Sequence, residues 1–245
     1  MKIAILLYHG LTALDAIGPY EVLRQLPNSQ VTFVSSQRGP IRTDSRVLAL
    51  GADATFADLP HPDILLVPGG IVGTWAATKN PTLISWVQQA HQTAQWTLSV
   101  CTGSLILGAA GLLKGLTTTT HWAARDFLKQ YGAIYVAERY VRHGTLITAA
   151  GVSAGIDMAL FVAGEIAGEA QAQSIQLAIE YDPHPPYHAG SLLQASPEVI
   201  TLAQQGLRKA ARKEFGILIK EKIVHPFRPS EIWPLDTNVQ EIEPD

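Results

Sequence analysis

The sequence predicts an α/β sandwich: a mostly parallel central sheet covered by helices on both faces. Two observations carry that expectation. Short runs rich in Val, Ile, Leu and Thr alternate along the 245-residue chain with longer amphipathic segments. The runs are also continuously apolar, which is the pattern of strands buried on both faces. The strands expected are KIAILLY from Lys2, VTFVSS from Val31, DILLVPGG from Asp63, TLSV before Cys101 and TLITAAG from Thr145. Between them, LDAIGPYEVLRQL sets Leu14, Ile17, Val22 and Leu26 along a helix, and Asn80 before Pro81 reads as an N-cap followed by proline at the first helical position. Ser153 can cap AGIDMALFVAGEIAG, while TTTTHW and AERYVRHG can add a peripheral hairpin or strand pair. YDPHPPYHAG from Tyr181 is a strand-free connector, and Pro197 to Glu221 reads as one long helix. The proline- and acid-containing tail from His225 is expected to be extended, crossing to another subunit or disordered. Residues 1–190 then form the main domain, and residues 191–245 a C-terminal helix and tail packed on it or on a partner subunit.

Composition narrows the function classes. The chain is 47% hydrophobic and 16% charged with a formal net charge of -3, so neither a basic stripe nor an acidic block argues for nucleic acid, and a small molecule is the expected partner. Glycines and a glutamate interrupt the longest apolar stretches, LILGAAGLL and MALFVAGEIAG, short of the ~20 residues that span a bilayer. The amino-terminal IAILLY is shorter than a signal-peptide core and reads as a buried first strand. A lone cysteine forms no internal disulfide and no Cys/His spacing matches a zinc site, so a cytoplasmic protein without a metal is expected.

That cysteine, Cys101, stands where the strand TLSV breaks into the small residues Thr102, Gly103 and Ser104 and then a helix. In open α/β sheets a ligand sits at the carboxyl ends of the strands, and a sharp strand-to-helix turn lifts its junction residue into that crevice. Helix amides beyond the turn would favour a thiolate; a small buried hydrophobe is the competing reading of a free cysteine. Gly69 and Gly70 end another central strand and offer amides that, with the amide of Thr102, can cradle a developing negative oxygen. A plain turn would read the same way. Asp15 lies near the start of the first helix, on the same edge of the sheet, as a cap, a solvated charge or an acidic partner for Cys101.

These pieces, in this order, resemble the ThiJ/PfpI superfamily, relatives of the class I glutamine amidotransferases, and within it the isonitrile hydratases. SVCTGSLILGAAGLLKG, TTHWAARDFL, ERYVRHGTLITAAGVSAGIDMAL and DAIGPYEVL carry the resemblance, which runs from the first strand through YDPHPPYHAG. It implies a flavodoxin-like sandwich, a homodimer, no metal or organic cofactor, Cys101 as nucleophile, Asp15 as its acidic partner, and oxyanion amides at Gly70 and Thr102. The PfpI-type proteases and many glyoxalase-like relatives carry histidine after the cysteine; here Thr102 stands there and cannot act as a base at neutral pH. The His-x-Glu pair of the amidotransferases is absent near residues 180 to 190.

The implied chemistry joins a thiolate to a protonated carboxyl, each opposing the other's ionisation so that the pair holds one proton. Cys101 would attack the isonitrile carbon while Asp15 protonates it, giving a thioimidate that water, positioned by Asp15 or the Thr102 hydroxyl, converts to a formamide. His121 can approach the pocket from the far side, Val152 can border it, and Trp75 and Trp122 can line an apolar cavity; packing is the competing reading of each. Glu21, His184 and His188 read as structural or surface groups. Glyoxalase or deglycase activity on small aldehydes, a cysteine-based redox sensor, and the sensor half of an AraC-type regulator are the alternatives. For the last, the segment after residue 190 is shorter than a paired helix-turn-helix domain.

Overall fold

The structure is a computed structural model that describes residues 1–220. Eleven strands run in chain order as β1 (Lys2–Leu6), β2 (Gln30–Ser35), β3 (Gly39–Arg42), β4 (Ala49–Ala52), β5 (Ala54–Thr55), β6 (Ile64–Val67), β7 (Trp96–Val100), β8 (Thr117–Thr118), β9 (Ile134–Tyr135), β10 (Tyr140–His143) and β11 (Leu146–Ala149). The helices are α1 (Ala13–Leu23), α2 (Val72–Thr78), α3 (Pro81–Thr93), α4 (Gly103–Ala109), α5 (Ala154–Ala167), α6 (Glu169–Ala178) and α7 (Pro197–Lys220), with a 3-10 helix at Trp122–Tyr131. The central sheet has the order β10-β11-β7-β6-β1-β2-β5. All its ladders are parallel except the edge pair β10 and β11. The expected doubly covered sheet is therefore present, and every residue of β6, β7 and β11 is buried.

Local chemistry explains several boundaries. The Asn80 side chain accepts from the Leu83 amide with Pro81 at the first helical position, so α3 starts where expected. Ser153 occupies the N-cap position of α5 but makes no capping bond; its hydroxyl accepts from Arg139 instead, at 3.2 Å. TTTTHW and AERYVRHG do not pair with each other. Thr117–Thr118 joins Ile134–Tyr135 in a short parallel ladder, and Tyr140–His143 extends the main sheet antiparallel to β11. The connector from Tyr181 is strand-free and exposed, and the long helix runs over Pro197–Lys220. The extended tail expected from His225 lies outside the described residues.

The topology reverses between β1 and β6. Succeeding strands leave β1 on one side through β2 and β5, then on the other through β6, β7 and β11. A crevice at the carboxyl ends of β1, β6 and β7 follows from that reversal. Three loops meet there: 8–12 after β1, 68–71 after β6 and 101–102 after β7.

Candidate active site

Cys101 is the turn residue after β7. Its φ of +58 is left-handed, a conformation rare for a side-chain-bearing residue and a sign of a position held by its surroundings. Four hydrogen bonds hold it. The Cys101 amide donates to the carbonyls of Ala149 and Ala150, at 3.1 and 2.7 Å, and its carbonyl accepts from the hydroxyls of Ser104 and Thr120, at 3.2 and 3.0 Å. Close packing then excludes side chains: a β-carbon on Gly103 would strike the Val67 carbonyl. Strand, turn and helix together make a nucleophile elbow.

Asp15 meets the sulfur. It is fully buried in the first turn of α1, and its carboxyl is hydrogen-bonded to the Cys101 thiol. Asp15 Oδ2 accepts the Gly69 amide at 3.0 Å, while Oδ1 has no nitrogen or oxygen donor among the described residues. Burial pushes the carboxyl up to about 7, against the opposing pull of the Gly69 amide and the thiol. The thiol is likewise pushed well above its ordinary value, first by burial and then by the negative charge of Asp15. The backbone amides of Thr102 and Val152 both donate to the sulfur and favour its anion, but they do not outweigh burial. A freely ionised thiolate, the expectation from helix amides alone, is corrected on that point. The pair holds a shared proton because either anion makes the other more expensive in a dry site.

Thr102 is placed differently from expectation. Its hydroxyl donates to the Gly70 carbonyl at 2.7 Å, accepts from the Gly70 amide at 2.9 Å and lies 2.9 Å from the Thr74 hydroxyl. Thr74 in turn lies 2.9 Å from the Tyr8 hydroxyl, which reaches the Pro68 carbonyl. The Thr102 hydroxyl is thus engaged in a buried chain, not turned toward a water at Cys101. The Gly70 amide is also engaged, by Thr102 Oγ1, and Gly69 by Asp15, so the amides that face the sulfur are those of Thr102 and Val152. Gly69 is required here by close approach: a β-carbon would lie 2.5 Å from the Thr102 nitrogen and 2.9 Å from Asp15 Oδ2.

His121 packs on the neighbouring loop. Its Cδ2 would lie 3.1 Å from a β-carbon at Gly151, next to Val152, and its Nδ1 accepts from the Ala123 amide at 3.3 Å, which leaves Nε2 as the protonated nitrogen. Burial lowers its pKa to about 4, so the ring is neutral. Trp122 tilts against that ring at 5.5 Å. Trp75 lines a cavity of about 500 Å³ with Tyr8, His9, Phe56 and Lys79; neither Cys101 nor Asp15 forms its wall. On the Thr102 side, Ile71, Leu105 and Phe127 enclose only about 20 Å³, room for a single water. Glu21 pairs with Arg24 at 2.7 Å, and His184 and His188 are exposed. Tyr8, Thr74 and Thr120 were not legible as site residues, because each lies in a run that reads as strand end or helix and acquires its partner only across the crevice.

Comparison with known proteins bears on the family and the fold. The DJ-1/PfpI family model matches residues 1–165. The chain belongs to the DJ-1/PfpI family. Among its relatives is the isonitrile hydratase of Pseudomonas putida, 42% identical over 205 residues that make up 84% of this chain and 89% of that protein. A crystal structure of a ThiJ/PfpI family protein from Pseudomonas syringae superposes with a TM-score of 0.80 at 38% identity, covering 87% of this chain and 90% of the other. An HTH-type transcriptional regulator of Pseudomonas aeruginosa is 32% identical over 149 residues, covering 60% of this chain but 42% of the regulator. The DJ-1/PfpI fold accounts for the elbow and for the sheet edge on which Asp15, Gly69 and Cys101 converge. Among the described residues no cluster of three or more metal-binding side chains is found, and no helix is long and apolar enough to cross a membrane.

Proposed function

We propose that this member of the DJ-1/PfpI family hydrates isonitriles to N-substituted formamides, with Cys101 as nucleophile and Asp15 as proton carrier. The observation that carries the reading is the buried, one-proton Cys101 and Asp15 pair on a left-handed elbow, in a chain 42% identical to an isonitrile hydratase. As the substrate enters, the shared proton shifts from the sulfur to Asp15, and the anion left on the sulfur is held by the Thr102 and Val152 amides. The sulfur forms a bond to the terminal carbon, and the Asp15 proton passes to that carbon, leaving a neutral thioimidate and a carboxylate. Water adds across the carbon–nitrogen double bond, its hydroxyl going to carbon and its proton reaching nitrogen by way of Asp15. Asp15 then takes the hydroxyl proton as the carbon–sulfur bond breaks. The products are the formamide, the thiolate and a protonated carboxyl, so atoms and charge balance over the cycle without oxidation or reduction.

A carboxyl with a pKa near neutrality suits this alternation, because donor and acceptor forms are then close in free energy. Gly69 and Gly70 hold the two sides of the turn, Thr102 ties it to the elbow, Val152 just after β11 donates its amide to the sulfur, and His121 packs beside Gly151 on the neighbouring loop. The homodimeric, cytoplasmic assembly implied by the family resemblance belongs to the same reading. The test is formamide production from a simple alkyl isonitrile by the parent and by Cys101→Ala. Turnover that needs Cys101 is expected; absent turnover with Cys101-dependent consumption of methylglyoxal would transfer the site to aldehyde chemistry.

A further inference from the structure

Glu214 is a carboxylate that the proposed chemistry does not use. It lies on α7, 2% exposed, far along the sequence from the elbow. Its Oε2 accepts the Val72 amide and its Oε1 the Gly73 amide, each at 3.1 Å. These are the first two residues of α2, directly after the Gly69-Gly70-Ile71 turn. The slot that admits the carboxylate is made by missing side chains: a β-carbon on Gly10 would strike Glu214 Oε1, and one on Gly73 would strike the His9 carbonyl. Gly10 is also left-handed, at φ +86. Beside the carboxylate, Leu218 of α7 and Val72 of α2 form a small buried apolar cluster of their own, separate from the main core.

This clasp is one step from the reacting atoms. Thr74, one residue beyond Gly73, contacts the Thr102 hydroxyl, and that hydroxyl holds both the amide and the carbonyl of Gly70. Thr102 donates its own amide to the sulfur, and Gly69 donates to Asp15. Moving the start of α2 therefore moves the Thr102 and Gly69 donors together. A surface salt link would not need two dedicated glycines and a fully dry carboxylate; burial pushes Glu214 up to about 7, with Asp44 adding to the rise and the Val72 and Gly73 amides and Arg46 opposing it.

We infer that Glu214 is a positioning residue: by gripping the Val72 and Gly73 amides from α7 it fixes the 69–74 turn on which the Cys101 and Asp15 geometry depends. The turnover consequence rests on the isonitrile reading, but the inference about Cys101 does not. Glu214→Gln keeps the size of the side chain and one acceptor while setting an amide group against the other backbone N–H. In the full chain this substitution should speed hydrogen exchange at Val72 and Gly73 by roughly tenfold or more, and lower kcat by about tenfold with KM within about twofold. Alkylation of Cys101 by iodoacetamide should also become several-fold faster, as its cover loosens, whether or not isonitriles are turned over. Unchanged exchange, faster exchange with parental alkylation and kcat, or a change in KM alone would each overturn the inference. Should Glu214→Gln fail to fold, Leu218→Ala leaves the carboxylate in place and trims only its apolar neighbour; it should move exchange and alkylation in the same direction, and parental values there would equally overturn it. If the parent shows no isonitrile turnover while exchange and alkylation respond, the proposed function fails and the role of Glu214 stands.

Discussion

At the Cys101 sulfur, two effects of opposite sign decide the chemistry. Amides from Thr102 and Val152 draw the thiol toward its anion, while burial and the Asp15 charge push it away. Removing the charge should release the sulfur: Asp15→Asn is expected to raise the alkylation rate of Cys101 near neutral pH, because the thiol then titrates lower, and at the same time to reduce isonitrile turnover by ~10²-fold or more, because no proton is available for carbon. Parallel pH profiles of alkylation and of kcat check both halves. Thr102 makes a separate prediction. Thr102→Val keeps the shape but removes the hydroxyl that serves Gly70 and Thr74, leaving buried polar groups without a partner, so the stability measured by denaturant unfolding should fall by about 1–3 kcal/mol.

Among the elements, the turns are more sensitive than the helices they join. Gly69→Ala would drive a β-carbon against the Thr102 nitrogen, and the backbone cannot yield without shifting Asp15 or the elbow. The variant should fold, since the turn is at the crevice and not under the sheet, yet lose on the order of 10²-fold in kcat, as sub-ångström displacement of reacting groups does. Asn80→Ala is the contrasting case. It removes the cap that starts α3 and should cost about 1 kcal/mol of stability, with kcat at the parental level, because α3 contributes no group to Cys101 or Asp15. Comparing Tm and kcat for the two variants separates a turn that places chemistry from a helix that supports it. A lone Ser153 at the head of α5 shows the limit of reading caps locally: the position was correct, but Arg139, brought alongside together with Asp157, engages the hydroxyl.

For the whole molecule, the buried acids and imidazoles set how stability follows pH. Asp15 and Glu214 titrate higher when folded than unfolded, so the folded state binds more protons and their contribution declines as pH rises from about 4 to about 7. His121 and His91 titrate lower when folded, so theirs grows over part of the same window and offsets the decline only in part. Above about pH 9 a further decline sets in: Cys101, Tyr8, Tyr131, Tyr135 and Tyr181 are all pushed up, the unfolded chain ionises first, and stability falls. Denaturant midpoints measured from pH 5 to 10.5 should decline to about pH 7, level off and then drop again, and Cys101→Ala should soften the onset of that second drop near pH 9. By itself the sequence determined the five strands β1, β2, β6, β7 and β11, the helices α1, α3, α5 and α7, the elbow at Cys101 and the candidacy of Asp15 and the two glycines, because apolar runs, small residues and caps act over a few neighbours; β3, β4, β5, α2 and α6 are short or weakly apolar and carry no such local mark. Only the tertiary structure decided that Asp15 touches the sulfur, that Thr102 turns its hydroxyl away into a chain ending at Tyr8, and that Glu214 closes on α2 from the far end of the chain. Those are contacts across 28 to 142 residues of sequence, and no local pattern encodes a partner that only the reversal of strand order at β1 and β6, and the docking of α7 beside it, brings within reach.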